Sequence, residues 1–260
     1  MAIFLALLLS PSLSFSFLSS KRPFSLPPSL PLSLTPSLPL SLPRLLGQQE
    51  KFNVWIALLN LEHGYGSAAS LEAAFAQAVQ ESKGKYLHLH LAQLYESASD
   101  LDAAAAVLER ALKKYKHSKK VWAAYQHFEL RRGGHEAAKR LLQRSLQSLS
   151  RHKHVEVISK YASAEFDFGS VDRGRVVFED LLASFPKRTD LWNVYVDKEV
   201  KAGNVRQARQ LLERLLAQRL NVKNAKNAFK KYLDVERRFG DAASQQAVAD
   251  KARAYVEGML

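Results

Sequence analysis

Apolar residues recur every three or four positions in several stretches beyond residue 46. In "VRQARQLLERLL", which begins at Val205, the residues Ala208, Leu211, Leu212 and Leu215 share one face of a helix that turns 100° per residue. The same spacing occurs in "AAAAVLERALKKY" from Ala103, "EAAKRLLQRSL" from Glu136 and "RGRVVFEDLLASF" from Arg173. Each stretch therefore predicts an amphipathic helix. A small residue near its start (Ala105, Ala138, Gly174 or Ala208) predicts close packing on a partner helix.

A second pattern, W-x2-Y-x3-E-x3-G, precedes these helices. In "WNVYVDKEVKAGN" it places Trp192, Tyr195 and Glu199 at offsets of 0, 3 and 7, within about 60° of one another on a helix. The pattern recurs, and its glutamate stands at positions 62, 96, 129, 165, 199 and 236. A period near 34 residues is typical of an array of helical hairpins. The anchors are Trp55 and Glu62; Leu89 and Glu96; Trp122, Tyr125 and Glu129; Ile158, Tyr161 and Glu165; Trp192, Tyr195 and Glu199; Phe229, Tyr232 and Glu236.

The repeated positions predict structural roles. The aromatic anchors are expected in the core. Each glutamate is expected to bond to backbone, or to an arginine or lysine of a neighbouring helix. The residue four places after it, usually glycine and in one unit Asp100, is expected to end the first helix in the left-handed conformation.

No hairpin of this size buries its apolar stripe alone, so neighbouring hairpins must stack. The sequence thus predicts an all-α solenoid of about six tetratricopeptide-like hairpins over residues 47–260, with a concave and a convex face. The first helix is expected to begin near Phe52, with nothing obvious capping that end of the array.

Residues 1–46 form a separate region of different composition. They contain eight of the nine prolines, three basic residues and no acidic residue, and their Ser/Pro/Leu repetition predicts a disordered or polyproline-like tail. The apolar run from Ala2 to Leu9 is too short to span a bilayer. A signal peptide, a transit peptide and translated non-coding sequence all stay open as interpretations, and we assign no function to the segment.

The remainder of the chain is basic, with 35 basic and 25 acidic residues. This surplus favours an anionic partner such as RNA or an acidic protein surface. Candidate phosphate contacts cluster near the ends of the predicted helices, and several stand where one hairpin leads to the next, which would place them along one edge of the solenoid. The candidates are Lys113, Lys114, Lys116, Lys119, Lys120, Arg131, Arg132, Arg151, Lys153, Lys187, Arg188, Lys223, Lys226, Lys230 and Lys231.

An enzyme is not indicated. Six equivalent glutamates fit a structural role better than one catalytic site, and no nucleophile–base pair is visible. "HEAAK" at His135 lacks the second histidine of a zinc-protease helix, and His88 and His90 diverge on a helix. Cysteine is absent, which excludes disulfides and cysteine-ligated zinc. We therefore expect no catalytic residue, cofactor, metal or small-molecule substrate.

Trp, Tyr and Glu in the first helix, followed by "ARQLLERLL" or "AVLERAL" in the second, resemble the half-a-tetratricopeptide (HAT) repeat. Longer strings such as "KFNVWIALLNLEHGYG", "FPKRTDLWNVYVDKEVKAGN" and "KNAFKKYLDVERRFG" resemble the C-terminal HAT module of the ribosomal RNA processing protein Five family, called programmed cell death protein eleven in animals. The resemblance covers essentially all of residues 47–260 and none of 1–46.

This resemblance implies a nucleolar, non-catalytic scaffold for pre-rRNA processing and early small-subunit assembly. Its partners would be ribosome assembly factors, with pre-rRNA or small nucleolar RNA as further candidates, and no membrane. Full-length members carry OB-fold RNA-binding domains ahead of the HAT repeats, which this chain lacks, so we expect a fragment, a truncated gene model or a stand-alone derivative. The alternative is an organellar RNA-binding repeat protein, with residues 1–46 as its transit peptide.

Overall fold

The structure is a computed structural model that describes residues 47–218 and 220–257. In this part of the chain twelve α-helices follow one another without a strand. They are α1 (Gln48–Tyr65), α2 (Ala68–Glu81), α3 (Gly84–Ser97), α4 (Leu101–Lys114), α5 (Lys119–Arg131), α6 (His135–Ser148), α7 (His154–Phe168), α8 (Val171–Ser184), α9 (Thr189–Lys201), α10 (Val205–Leu216), α11 (Val222–Phe239) and α12 (Ala242–Glu257). A 3₁₀ turn, Arg151–Lys153, precedes α7.

The helices pair into six hairpins, which confirms the predicted all-α array. We call the odd-numbered helices A and the even-numbered helices B. Consecutive helices pack on each other, and every A helix also contacts the A helix of the next hairpin. The A helices therefore form the inner layer of a solenoid and the B helices the outer layer. The described residues from Gly47 onward belong to one compact unit, and the predicted tail over residues 1–46 lies outside the described residues.

The array has two edges, because successive helices run in opposite directions. The turns from an A helix to its own B helix lie at one edge, which we call the intra-hairpin edge. The turns from a B helix to the next hairpin, at residues 82–83, 115–118, 149–153, 185–188 and 217–221, lie at the other, which we call the inter-hairpin edge. This distinction sorts the basic residues below.

The first helix starts earlier than the sequence suggested. It begins at Gln48, because the carboxylate of Glu50 accepts a hydrogen bond from the Gly47 N–H at 2.7 Å and caps the first turn. The prediction of a start near Phe52 was therefore wrong by one helical turn. Phe52 itself packs against the core of the first three hairpins.

The prediction of left-handed residues at the ends of the A helices holds at Gly133 and Gly203, both with φ of +80°. It is wrong in the other units. In the second hairpin Ser99 takes the positive φ, at 64°, while Asp100 accepts from the Ala103 N–H and caps α4. The glycines at 66, 169 and 240 have negative φ, from −89° to −115°.

Another contact explains glycine at those three positions. The carboxylate of the repeat glutamate folds back over the end of its own helix, where an added Cβ would overlap one of its oxygens. Gly134 faces Glu129 in the same way. A close approach, rather than a special backbone angle, favours glycine there. It does so most strongly at Gly66 and Gly240, where an added Cβ would also lie 2.7 Å and 2.9 Å from the carbonyl oxygen of the same glutamate. The predicted close packing at Gly174 is present, since a Cβ at that position would meet the ring of Phe166.

Long side chains join the outer B helices of neighbouring hairpins. An arginine or lysine of one B helix pairs with a glutamate of the B helix before it, in the pairs Arg110–Glu72, Arg144–Glu109, Arg214–Glu179 and Lys251–Glu213. We call these pairs the B-helix ladder. Within the described residues it is interrupted once, between α6 and α8, where Gln143 and Asp180 occupy the register positions of the glutamate and the arginine.

Candidate nucleic-acid interface

The tryptophan anchors are buried. Trp55, Trp122 and Trp192 are 6%, 2% and 3% exposed. The indole N–H of Trp122 donates to the carbonyl of Lys116 at 2.8 Å, and that of Trp192 donates to the carbonyl of Pro186 at 2.9 Å. Both carbonyls lie in turns of the inter-hairpin edge, so each indole fixes the turn that leads into its helix.

This contact explains the role of the turn and helix start in "FPKRTDLW". Pro186 supplies the acceptor for Trp192, and the guanidinium of Arg214 lies over the indole at 5.3 Å. Arg214 also reaches Glu179 at 2.8 and 2.9 Å. The third hairpin repeats the arrangement with Trp122, whose ring lies under Arg144. The tryptophan faces are therefore covered and are not available for stacking on nucleic-acid bases.

The tyrosine anchors pack in or against the core, and some of them donate hydrogen bonds to glutamates. Tyr161, Tyr195 and Tyr232 are buried, whereas Tyr125 is only partly buried. Tyr161 donates to Glu165 at 2.7 Å, and burial, followed by this hydrogen bond, raises the pKa of its phenol. Burial likewise raises the pKa of Tyr232 to about 12. These phenols stay protonated at neutral pH and act as donors.

Two of the repeat glutamates bind arginines of the preceding B helix. Glu199 accepts from Arg175 at 2.7 and 2.9 Å, and Glu236 accepts from Arg209 at 2.7 and 2.8 Å. Both carboxylates are almost fully buried. Since each arginine belongs to the neighbouring hairpin, these pairs fix one hairpin on the next.

The other four glutamates have different partners. Glu96 pairs with Arg131 of the following A helix, and Glu165 accepts from Arg173 of its own hairpin at 3.3 Å. Glu62 differs from the expectation, because it accepts from the Ser70 hydroxyl. Glu129 differs as well: its charged neighbour is Arg132 at the end of the same helix, and burial raises its pKa.

Most candidate phosphate contacts lie on the inter-hairpin edge. Lys113, Lys114, Lys116, Lys119 and Lys120 surround the turn between α4 and α5. Arg151 and Lys153 form the turn before α7, Lys187 and Arg188 form the turn before α9, and Lys223 and Lys226 lie in the first turns of α11. All except Lys119 and Lys153 are exposed.

Two other groups do not lie on that edge. Arg131 and Arg132 end α5 and therefore lie at the intra-hairpin edge, where Arg131 pairs with Glu96 and Arg132 with Glu129. Lys230 and Lys231 lie midway along α11. The antiparallel course of successive helices separates residues that are close in sequence. The fifteen candidates thus do not form a single row.

Five of the candidate phosphate contacts form ion pairs with carboxylates of the array. Lys119 pairs with Glu156, Arg188 with Asp190 and Lys231 with Asp197, in addition to the two arginines of α5. The remaining ten have no ion pair with any described residue: Lys113, Lys114, Lys116, Lys120, Arg151, Lys153, Lys187, Lys223, Lys226 and Lys230. Charges not matched by carboxylates are the ones that a polyanion can use.

Sequence reasoning missed one group on this edge. Lys83, Lys85 and Tyr86 lie at the start of α3, and Lys120 of α5 donates to the Tyr86 hydroxyl at 3.0 Å. The short strings "SKGKY" and "SKK" gave no sign that they meet, because 34 residues separate Tyr86 from Lys120. Only the stacking of hairpins brings them together.

Other candidate chemistry is accounted for by packing. His88 is buried, with Nδ1 2.7 Å from the Gly84 carbonyl, and His90 lies 2.8 Å from Asn60, so the two rings diverge. Burial lowers the pKa of both imidazoles. Between residues 47 and 257, apart from residue 219, no three His, Asp or Glu side chains are grouped to hold a metal ion. No described helix is both long and apolar enough to cross a membrane.

One open depression of about 380 Å³ lies beside Trp192. Glu179 and Arg214 line it, together with Pro186 and Ala217. Its charged groups pair with each other in the B-helix ladder.

Two family models match the chain. The model described as suppressor of forked protein matches residues 155–258, and that described as pre-mRNA-splicing factor Syf1/CRNKL1 C-terminal HAT repeat matches residues 77–158. Together with the stacked hairpins, these matches define the chain as a HAT-repeat protein.

Proteins with similar sequences identify the family within the HAT-repeat class. Protein RRP5 homolog of Homo sapiens and that of Mus musculus are each 43% identical over 210 residues, which is 81% of this chain and 11% of the relative. The rRNA biogenesis protein rrp5 of Schizosaccharomyces pombe is 42% identical over 80% of the chain and 12% of its own length. The hairpin array of this chain belongs to the RRP5 family and is the counterpart of its C-terminal HAT module. The chain spans about a tenth of the length of these relatives.

Proposed function

We propose that this chain acts as a non-catalytic HAT-repeat scaffold in pre-rRNA processing and early assembly of the small ribosomal subunit. The observation that carries the proposal is the 42–43% identity, over about four fifths of the chain, to proteins named for rRNA biogenesis. A nucleolar location and ribosome assembly factors as protein partners follow from the same kinship.

The geometry supports a scaffold. The repeat glutamates and tyrosines bind partners within the array, and the only charged pair that lines the open depression is part of the B-helix ladder. The array leaves two kinds of surface free: the cations without ion pairs on the inter-hairpin edge and the exposed side chains of the A helices. We include pre-rRNA among the partners because most of the unpaired cations lie on that edge.

Localisation tests the proposal most directly. A fluorescent fusion of the full chain is expected in the nucleolus, and depletion of the protein is expected to cause unprocessed small-subunit rRNA precursors to accumulate. A plastid or mitochondrial location with unchanged rRNA precursors would contradict the proposal and favour the organellar alternative. A fusion of residues 1–46 alone then shows whether that segment directs the chain.

A further inference from the structure

A partly exposed phenol on the inter-hairpin edge, Tyr86, lies against lysines of two hairpins. Lys120 of α5 donates to the Tyr86 hydroxyl at 3.0 Å, and its ammonium group lies 5.1 Å from the ring centroid. Lys85 lies 4.8 Å from the same centroid. Lys83 is the N-cap residue of α3, and its ammonium donates to Gln49 of the first hairpin at 3.3 Å. We call Lys83, Lys85, Tyr86 and Lys120 the lysine cage.

The positive charge of the lysine cage is not neutralised. None of its three lysines has an ion pair with a described residue, whereas the adjacent Lys119 pairs with Glu156. The hydrogen bond from Lys120 and the charges of Lys120, Lys85 and Lys83 lower the pKa of Tyr86. Lys85 and Lys120 lie against the ring, and the charge of Lys83 also acts on the phenol. Like charges in one neighbourhood repel one another, so an anion bound among them relieves an unfavourable interaction.

The chemistry that the lysine cage offers suits a phosphate group. Two ammonium groups lie against the ring of Tyr86, so the ring is not free to stack on a base. What remains is a set of donors: three ammonium groups and a hydroxyl. Phosphate oxygens accept several such bonds at once and carry the matching charge.

The surroundings favour a linear polyanion over an isolated phosphate. Further along the inter-hairpin edge, Lys114 and Lys116 stand at the turn into α5, Arg151 and Lys153 at the turn into α7, and Lys187 at the turn into α9. None of these has an ion pair within the described part of the chain. The intra-hairpin edge carries fewer such cations. Arg131, Arg132, Arg173 and Lys201 are each paired there with a carboxylate, and Lys139, Arg140, Arg206 and Arg238 have no ion pair among the described residues.

We propose that the lysine cage binds a phosphodiester group of an RNA strand whose backbone follows the inter-hairpin edge. The ammonium groups of Lys83, Lys85 and Lys120 and the hydroxyl of Tyr86 would contact non-bridging phosphate oxygens. Because the site joins α3 to α5, binding also bridges the second and third hairpins. This inference rests on the proposed function, since it specifies how the scaffold holds pre-rRNA.

The test is a salt titration with the full chain and an unstructured single-stranded oligoribonucleotide. The triple variant Lys83→Gln/Lys85→Gln/Lys120→Gln is compared with wild type by fluorescence anisotropy. We expect at least about a tenfold loss of affinity at low salt. We also expect the slope of log K against log salt to become less negative by about 2, since each lost phosphate contact on a single strand contributes about 0.7.

The matched control removes the same charge from the intra-hairpin edge. In Lys139→Gln/Arg206→Gln/Arg238→Gln, three exposed cations without ion pairs among the described residues are replaced, and the affinity and slope should stay close to wild type. Equal losses in both triple variants would show binding by net charge alone and overturn the site. Thermal melts of both variants show whether the fold is intact.

A second variant separates the hydroxyl from the charge. Tyr86→Phe keeps all three lysines, so the salt slope should not change, while the affinity falls by about 2- to 10-fold, the value of one hydrogen bond. Unchanged affinity would remove the hydroxyl from the site.

RNA binding and localisation, measured separately, distinguish the RNA site from the proposed function. A wild-type chain that enters the nucleolus but binds no RNA overturns the lysine cage as an RNA site and leaves the scaffold role. If the triple variant binds RNA like wild type but no longer binds a phosphorylated peptide, the site belongs to a protein partner, and this result also overturns the inference. Localisation outside the nucleolus overturns the proposed function itself.

Discussion

Trp192 shows how one side chain connects three elements. Its indole is 3% exposed, donates to Pro186 in the preceding turn and lies under Arg214 of the following helix. Truncation removes a large buried surface and leaves a cavity bounded by α8, α9 and α10. The indole hydrogen bond is lost as well, so the carbonyl of Pro186 is left without this partner.

We expect Trp192→Ala to lower the free energy of unfolding by about 3–5 kcal/mol, measured by urea denaturation. Val194→Ala in the same helix is the control. Because Val194 is 36% exposed, its change should stay within about 0.5 kcal/mol. A Trp192→Ala variant that melts like wild type but no longer binds RNA would show that the tryptophan is a contact residue rather than core.

Two buried glutamates are expected to respond to pH in opposite directions. Burial raises the pKa of Glu129 in the folded chain, although Arg132 and Arg140 partly oppose the shift. The folded state then holds the proton to higher pH than the unfolded chain, so stability falls as pH rises through this window. The hydrogen bond from Arg209 lowers the pKa of Glu236 despite its burial. Stability from Glu236 is therefore present above the ordinary glutamate pKa and is lost as pH falls through the folded value.

Glutamine substitutions test this contrast. At neutral pH, Glu236→Gln should destabilise by about 1.5–3 kcal/mol, since it weakens hydrogen bonds to a charged group. Glu129→Gln should cost nothing or stabilise. Urea denaturation at several pH values should show the two effects converging at low pH, where both carboxyls are protonated. If both substitutions lowered the free energy of unfolding equally at neutral pH, the proposed difference between the surroundings of Glu129 and Glu236 would be wrong.

At the scale of helices, the B-helix ladder joins neighbouring hairpins at four interfaces and is interrupted between α6 and α8. Gln143 and Asp180 depart together from the glutamate–arginine pattern. A glutamate at position 143 would face Asp180 and place two negative charges side by side. Replacement of both residues of the pair avoids this repulsion. The gap coincides with the 3₁₀ turn that lengthens the connection into α7.

Restoring the pair should stabilise the array modestly. Gln143→Glu/Asp180→Arg is expected to raise the free energy of unfolding by about 0.2–1 kcal/mol at low ionic strength, the range for exposed ion pairs. The gain should shrink in high salt, because screening weakens exposed charges. Gln143→Glu alone should be neutral or destabilising, and a gain from that single change would argue against the register.

Across the whole molecule, stability is distributed as in other repeat proteins, where each unit depends on its neighbours. The core runs from Trp55 to Val248 in overlapping clusters, with one cluster over the first three hairpins and another over the last three. The last helix, α12, contributes one buried residue, Val248, whereas α5 buries seven. An end helix with so little buried surface should open before the centre.

Native-state hydrogen exchange followed by mass spectrometry should therefore show a gradient. Amides of α12 are expected to exchange through local opening, well before those of α5 and α7. Trp192→Ala should increase exchange most in the fourth to sixth hairpins, which share its core cluster. Uniform protection from α1 to α12 would contradict nearest-neighbour stability and indicate a single cooperative unit.

Much of the architecture could be predicted before any coordinates, because it depends on short-range spacing. The 34-residue period, the six hairpins, the buried tryptophans and the packing at Gly174 follow from offsets of a few residues along a helix. Capping was harder to predict. The glycines at 66, 169 and 240 have negative φ, and the contact that favours glycine there is the folded-back glutamate, which no spacing rule describes.

The functional surface depended on contacts between hairpins. Lys120 meets Tyr86, Arg131 meets Glu96 and Lys231 meets Asp197 across 34 or 35 residues, and these contacts decide which cations are neutralised and which are free. Their partners are set by the pitch of the stacked hairpins and by the antiparallel course of each helix pair. The repeat can therefore be read from the chain, but the basic surface emerges only when neighbouring hairpins are placed side by side.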